Sequence, residues 1–139
     1  MDAVTDRVSE LFASRRPPGV AAAYLFGSHA LGRAHAESDV DVGLVLDLRQ
    51  VSDRPARSRL ALDLASDLIA ATHNNAVDVV VLNDASPELS AAVVTRGRRI
   101  YLADAAIEHE FRRTAQLRYA DLRPFLERTR RVKLEAIRR

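Results

Sequence analysis

Two aspartates two positions apart, Asp39 and Asp41, stand at the head of the most regularly alternating apolar stretch of the chain. On a strand, residues two apart project to the same face, roughly 6.6 Å from one another along the chain. Val40, Val42, Leu44 and Leu46 then occupy the opposite face and can pack into a core. Paired carboxylates repel, and a hard oxygen-seeking cation such as Mg²⁺ relieves the repulsion. Two such cations roughly 3.5–4 Å apart suit the clamping of a reacting phosphate. A third carboxylate is wanted. Asp78 is the candidate, near the start of the valine-rich run Val77–Leu82. A charge heading so apolar a strand is costly to bury unpaired, and a metal with a substrate hydroxyl would account for it. The three meet at one edge if the two strands are neighbours, which spacing alone leaves open.

Just upstream, Gly27 and Ser28 follow an apolar run, Val20–Phe26, and open a turn expected to lead into a short helix and a loop before Ser38. Glycine lets the backbone approach a ligand closely. A helix start offers free N–H groups and partial positive charge, which suits phosphate. A phosphate cradle one loop before a metal-binding strand meets the two needs of phosphoryl transfer, positioning and charge neutralisation. The other suggestive residues carry less. The histidines at 29, 35, 73 and 109 have no close helical pair for a zinc site; His29 lies in the phosphate turn and can touch nucleotide or face solvent. Asp47 is expected to be a solvated strand end, Asp84 a turn residue, and Tyr24 core. Tyr101 and Tyr119 are expected to face either the core or a partner. Ser28 is not framed by the Gly-x-Ser-x-Gly elbow of a hydrolase.

The elements that must position these groups follow from pattern. Helical spacing covers residues 1–14 and ends at Pro17, Pro18 and Gly19. Strands are expected over 20–26, 38–46, 77–82 and 98–102. A helix fits 53–72. Ser86 and Pro87 begin another, which Gly97 ends. From Asp104 onward the chain reads as helix, in two pieces or as one kinked at Pro124. Alternating helices and strands argue for an α/β (α+β) sandwich.

Bulk properties narrow the class. The 139 residues suit a single domain, 1–139, with 104–139 a basic helical C-terminal segment. Hydrophobic residues at 47% and charged residues at 29% are a globular balance. The absence of cysteine excludes disulfides, thiolate nucleophiles and cysteine zinc sites. With no apolar run long enough for a bilayer and Asp2, Asp6 and Glu10 in place of a signal peptide, a cytoplasmic protein without membrane contact is expected. The net charge of +2 is uneven. Residues 112–139 hold ten of the 21 basic residues and three acids, leaving the remainder at −5. A basic tail on an acidic body is either a solvated helix or a surface for something acidic. Direct nucleic-acid binding is not expected, because no template-binding module is evident.

Gly27-Ser28, Gly32 and Ser38-Asp39-Val40-Asp41 resemble the Gly-Ser…Gly…Ser-Asp-x-Asp signature of the polymerase-beta-like nucleotidyltransferase superfamily. The short length resembles its minimal (MNT) branch, the MntA-type antitoxins paired with HEPN-domain RNase toxins. The segments Arg98–Tyr101 and Phe111–Phe125 are also similar to that branch. The resemblance implies a nucleotidyltransferase fold: a mixed sheet of about four strands flanked by helices, with a helical C-terminus. It implies Mg²⁺ on Asp39, Asp41 and Asp78, with Asp78 activating the acceptor hydroxyl. Nucleotide contacts would come from Gly27, Ser28, Ser38 and Asp39. It implies ATP as substrate, a cognate HEPN toxin as partner and a toxin tyrosine as AMP acceptor. The alternatives are an antitoxin that masks its toxin without catalysis, and transfer to a small molecule. His29 and Leu31 stand where members often carry arginine; Arg33 could supply that charge.

Overall fold

A computed structural model describes residues 3–27 and 39–138. Ser28, His29, Leu31, Gly32, Arg33, His35 and Ser38, with the short helix expected after Gly27, lie outside the described residues.

Helix α1 (Ala3–Arg15) leads to β1 (Val20–Phe26), β2 (Val40–Leu46), α2 (Arg54–Thr72), β3 (Val77–Val81), α3 (Pro87–Arg96), β4 (Arg98–Leu102) and α4 (Ala105–Arg138). The sheet runs β3-β2-β1-β4. β1 is antiparallel to β2 and to β4, whereas β2 and β3 are parallel, so the sheet is mixed. Period-two alternation sends side chains to two apolar layers. On one face Val8 and Phe12 of α1 and Leu64 and Leu68 of α2 pack with Leu25, Val42, Leu44 and Leu46. On the other, α3 and α4 bring Val93, Val94 and Ala115 onto Ala22, Tyr24 and Val45. Tyr101 is buried and stacks on Phe12, their ring centroids 5.4 Å apart. Tyr24 is buried too, and Tyr119 lines a groove between α3 and α4.

The helix ends follow local chemistry. Asp53 caps α2 by accepting from the Ala56 N–H at 3.2 Å, and Ser86 caps α3 by accepting from Leu89 at 3.2 Å. Gly97 does end α3, but with φ −71 rather than a left-handed cap. Glycine is needed there for space: a Cβ would lie 2.4 Å from the Val93 carbonyl and 3.0 Å from that of Leu25. The left-handed cap is instead His73 after α2, with φ 55.

The structure decides one point that pattern reading left open and departs from it at two others. The chain beyond Asp104 is one helix through Pro124, whose missing N–H and ring are tolerated in a stretch where most neighbours are exposed. A 3-10 turn, Leu82–Asp84, follows β3. Asp47 is not a solvated strand end. It is 7% exposed, and its carboxylate accepts from the Arg49 backbone N–H at 3.0 Å, Arg49 Nε at 3.2 Å and Gln50 Nε2 at 3.2 Å. These bonds, led by those from Arg49, hold its carboxyl below the ordinary range. Asp47 thus builds the turn after β2. Asp84 is a turn residue as expected, and Arg57 of α2 grips it through two bonds of 2.9 Å. The same guanidinium donates to the Val51 and Ser52 carbonyls, tying the β2–α2 loop to the end of β3.

Candidate active site

Parallel pairing of β2 with β3 puts Asp41 directly beside Asp78. Side chains at paired positions share a face, and adjacent strands lie about 4.8 Å apart, so the two carboxylates project together. The adjacency that spacing left open is therefore present. It is forced by the core: Val40, Val42 and Leu44 on β2 and Val77, Val79 and Val81 on β3 belong to one apolar layer. A slip of one residue would send the valines to the polar side. Asp39 stands two residues ahead of Asp41, just outside β2, and is exposed.

Gly27 closes the arrangement. It leaves β1 with φ +72, a left-handed conformation natural to glycine. A Cβ there would lie 2.6 Å from Asp41 Oδ2. The glycine turn and the carboxylate are thus in direct contact, as the antiparallel pairing of Phe26 with Asp41 requires. Among the described residues no three His, Cys, Asp or Glu side chains are gathered closely enough to hold a metal ion. The aspartates meet through backbone register rather than as a closed cage. Their chemistry nevertheless fits a hard divalent cation: oxygen donors only, no cysteine in the chain, and space beside Asp41 Oδ2 that any side chain at 27 would fill.

Residues 7–106 match the family described as polymerase beta, nucleotidyltransferase. The chain belongs to the polymerase beta nucleotidyltransferase family. Among relatives of this chain, the protein adenylyltransferase MntA of Shewanella oneidensis (strain MR-1) is 38% identical over 78 residues, 56% of this chain and 51% of that protein. The chain thus spans about half the length of the curated relative it matches. A crystal structure of a toxin–antitoxin with AMP-PNP holds a chain 27% identical to this one. It has a TM-score of 0.63, and the match covers 97% of this chain and 98% of that one. A crystal structure of a mutant MntA-HpeT toxin–antitoxin also gives 27% identity, with TM-score 0.61 and coverage of 96% and 97%. No helix among the described residues is long and apolar enough to cross a membrane.

Beneath the site lies a polar cluster that motif reading missed. Tyr24 of β1, buried at 1% exposure, donates its hydroxyl hydrogen to Glu108 of α4. Arg112 donates to Tyr24 Oη at 2.8 Å, to Glu108 Oε1 at 2.8 Å and to the Val94 carbonyl at 3.0 Å; Arg99 of β4 reaches Glu108 Oε2 at 3.4 Å. Burial opposes the charge on Glu108, but the bonds from Tyr24 and Arg112 and the nearby guanidiniums together hold its carboxyl below the ordinary value. The cluster joins β1, β4, α3 and α4 on the face that carries Asp41. The signal was present as Glu108 and Arg112 at helical i, i+4 spacing, a pair common enough on surfaces to go unremarked.

This cluster makes stability depend on alkaline pH. Burial, and then the bond to Glu108, push the Tyr24 hydroxyl up to about 12. In the unfolded chain a tyrosine loses its proton near 10. A pKa raised by folding contributes stability that is complete below the unfolded value and lost as pH climbs to the folded one. The free energy of unfolding should therefore fall between about pH 10 and 12, by on the order of 2 kcal/mol. Urea unfolding followed across that window should show a flatter profile for Tyr24→Phe; an equally steep one would show that other groups cause the loss.

Proposed function

We propose that this chain is the antitoxin of a toxin–antitoxin pair and transfers AMP from ATP, with Mg²⁺, to a tyrosine hydroxyl of a cognate HEPN-domain RNase toxin, silencing it. The observation that carries the reading is the contact of the Gly27 turn with the Asp41 carboxylate, beside Asp78 in register. Membership of the nucleotidyltransferase family supports the reaction class. The adenylyltransferase relative supports a protein acceptor, and the AMP-PNP complex supports an adenine nucleotide and a toxin partner.

In this mechanism Gly27 and the turn it opens at Ser28 receive the triphosphate, with further nucleotide contacts from Ser38 and Asp39. Asp39 and Asp41, joined by Asp78, are the residues that would hold Mg²⁺, which when bound neutralises phosphate charge at the reacting centre. Asp78 takes the proton of the acceptor hydroxyl. The hydroxyl oxygen bonds to the α-phosphorus, the bond from that phosphorus to the bridging oxygen breaks, and pyrophosphate leaves with the electron pair. A cytoplasmic location accords with this role.

The test incubates the protein with α-labelled ATP, Mg²⁺ and the toxin encoded beside it, and maps the label. The expected result is label on a toxin tyrosine and loss of RNase activity. Absence of label with the aspartates intact, or full neutralisation by the Asp39→Ala/Asp41→Ala double variant, would overturn the reading in favour of simple masking.

A further inference from the structure

The face of the sheet that carries Asp41 has a second feature, which the phosphate and metal chemistry does not use. Between the end of β1 and α3 lies a cleft of about 200 Å³, walled by Phe26, Leu89, Ala92 and Val93. Gly27 forms part of its lining, so the cleft opens where the glycine turn touches the Asp41 carboxylate. Phe26 is itself the cross-strand partner of Asp41. Among the described residues, Arg96 is the only one lining the cleft with a polar side chain. It is exposed, and its guanidinium has no partner among the described residues.

We infer that this cleft seats the aromatic ring of the acceptor side chain, a phenol, with its hydroxyl toward the aspartates; the inference rests on the transfer reaction proposed above. Three observations distinguish a phenol from the other flat group in the reaction, the purine. The first is the lining. A purine carries ring nitrogens and an exocyclic amine, and burying such groups without partners is costly. Among the described residues, the side chains of the cleft offer them none except Arg96, whereas the carbon edges of a phenol need none. The second is place. A ring seated against Phe26 and Gly27 lies one residue contact from Asp41 and, through β2–β3 register, from Asp78. That is where the acceptor hydroxyl must give up its proton and bond to phosphorus. The third is charge. A phenol holds its proton until about pH 10, and a neighbouring guanidinium favours the phenolate. Arg96 supplies that cation at the rim of the cleft, without a carboxylate partner to quench it.

The cleft then makes the enzyme select its acceptor by chemistry as well as by docking. An aliphatic hydroxyl, such as that of serine, would leave the apolar walls unfilled.

The test uses methyl NMR of the whole protein labelled at alanine and valine, titrated separately with N-acetyltyrosinamide, N-acetylserinamide and ATP–Mg²⁺. The tyrosine amide should shift the Ala92 and Val93 methyls above all others, and the serine amide should leave them unmoved. ATP–Mg²⁺ should move other resonances first. In parallel, Ala92→Phe, which fills the cleft, should cut transfer to the toxin by about 30-fold or more in kcat/KM while leaving the KM for ATP within about threefold. If ATP shifts Ala92 and Val93, or the variant loses ATP binding, the cleft holds the base and the inference is wrong. It is equally wrong if the tyrosine amide moves neither methyl, a result that does not depend on the variant folding. Transfer to the toxin with a silent cleft would leave the proposed function standing and remove this inference. Binding of the tyrosine amide without any transfer would overturn the transfer reading and, with it, the assignment of the cleft to an acceptor ring.

Discussion

Replacing Asp41 by asparagine should abolish AMP transfer, by about 1,000-fold or more, and leave the fold in place. The size follows from the role proposed for the carboxylate. Asparagine keeps the shape but removes the negative charge from the group that lies against the Gly27 turn and beside Asp78. Loss of a metal-holding charge at a phosphoryl-transfer centre forfeits several kcal/mol of transition-state stabilisation, and about 4 kcal/mol corresponds to three decades in rate. The fold should survive because the apolar side of β2, from Val40 to Leu46, is untouched. Single-turnover transfer of labelled AMP, with circular dichroism and thermal unfolding of the same sample, is the measurement. A variant that unfolds normally yet transfers within tenfold of the parent would remove Asp41 from the chemistry.

Gly27→Ala should nearly match it by another route. Two penalties coincide at this position. Alanine at φ +72 is strained by roughly 1–2 kcal/mol, and its Cβ would meet Asp41 Oδ2 at 2.6 Å. The first costs stability; the second displaces the carboxylate. A misplacement of about 1 Å at a reacting centre can cost about 100-fold in rate, and that loss is expected here. Gly19→Ala separates the two effects. Gly19 precedes the opposite end of β1 and also has a positive φ, +85, but its Cβ would meet Val51. That variant should lose comparable stability and keep transfer. Parallel activity losses in both variants would show that Gly27 acts only through folding.

Much of this protein was legible before its fold. The bounds of β1 and β4, the cap at Ser86 and the stop at Gly97 followed from short apolar runs and local hydrogen-bonding chemistry, which act over a few neighbouring residues. The expectation that Asp39 and Asp41 project to one side rested on period-two geometry, although β2 begins only at Val40 and leaves Asp39 just outside it. The suspicion attached to Asp78, a charge in a valine run, was equally local. The polymerase beta nucleotidyltransferase signature drew on these same residues.

Other features depended on contacts between distant segments. Whether β2 and β3 are neighbours is settled by burial of two valine faces in one layer, and only then do Asp41 and Asp78 stand side by side. That Gly27 must be glycine because of Asp41, fourteen positions later, follows from antiparallel pairing. The burial of Asp47 was invisible because Arg49 and Gln50 read as surface residues until the turn folds them onto it. Glu108 meets Tyr24 across 84 positions. Alternation and capping are properties of the local backbone, whereas register, close approach and buried charge arise when separate elements compete for one core.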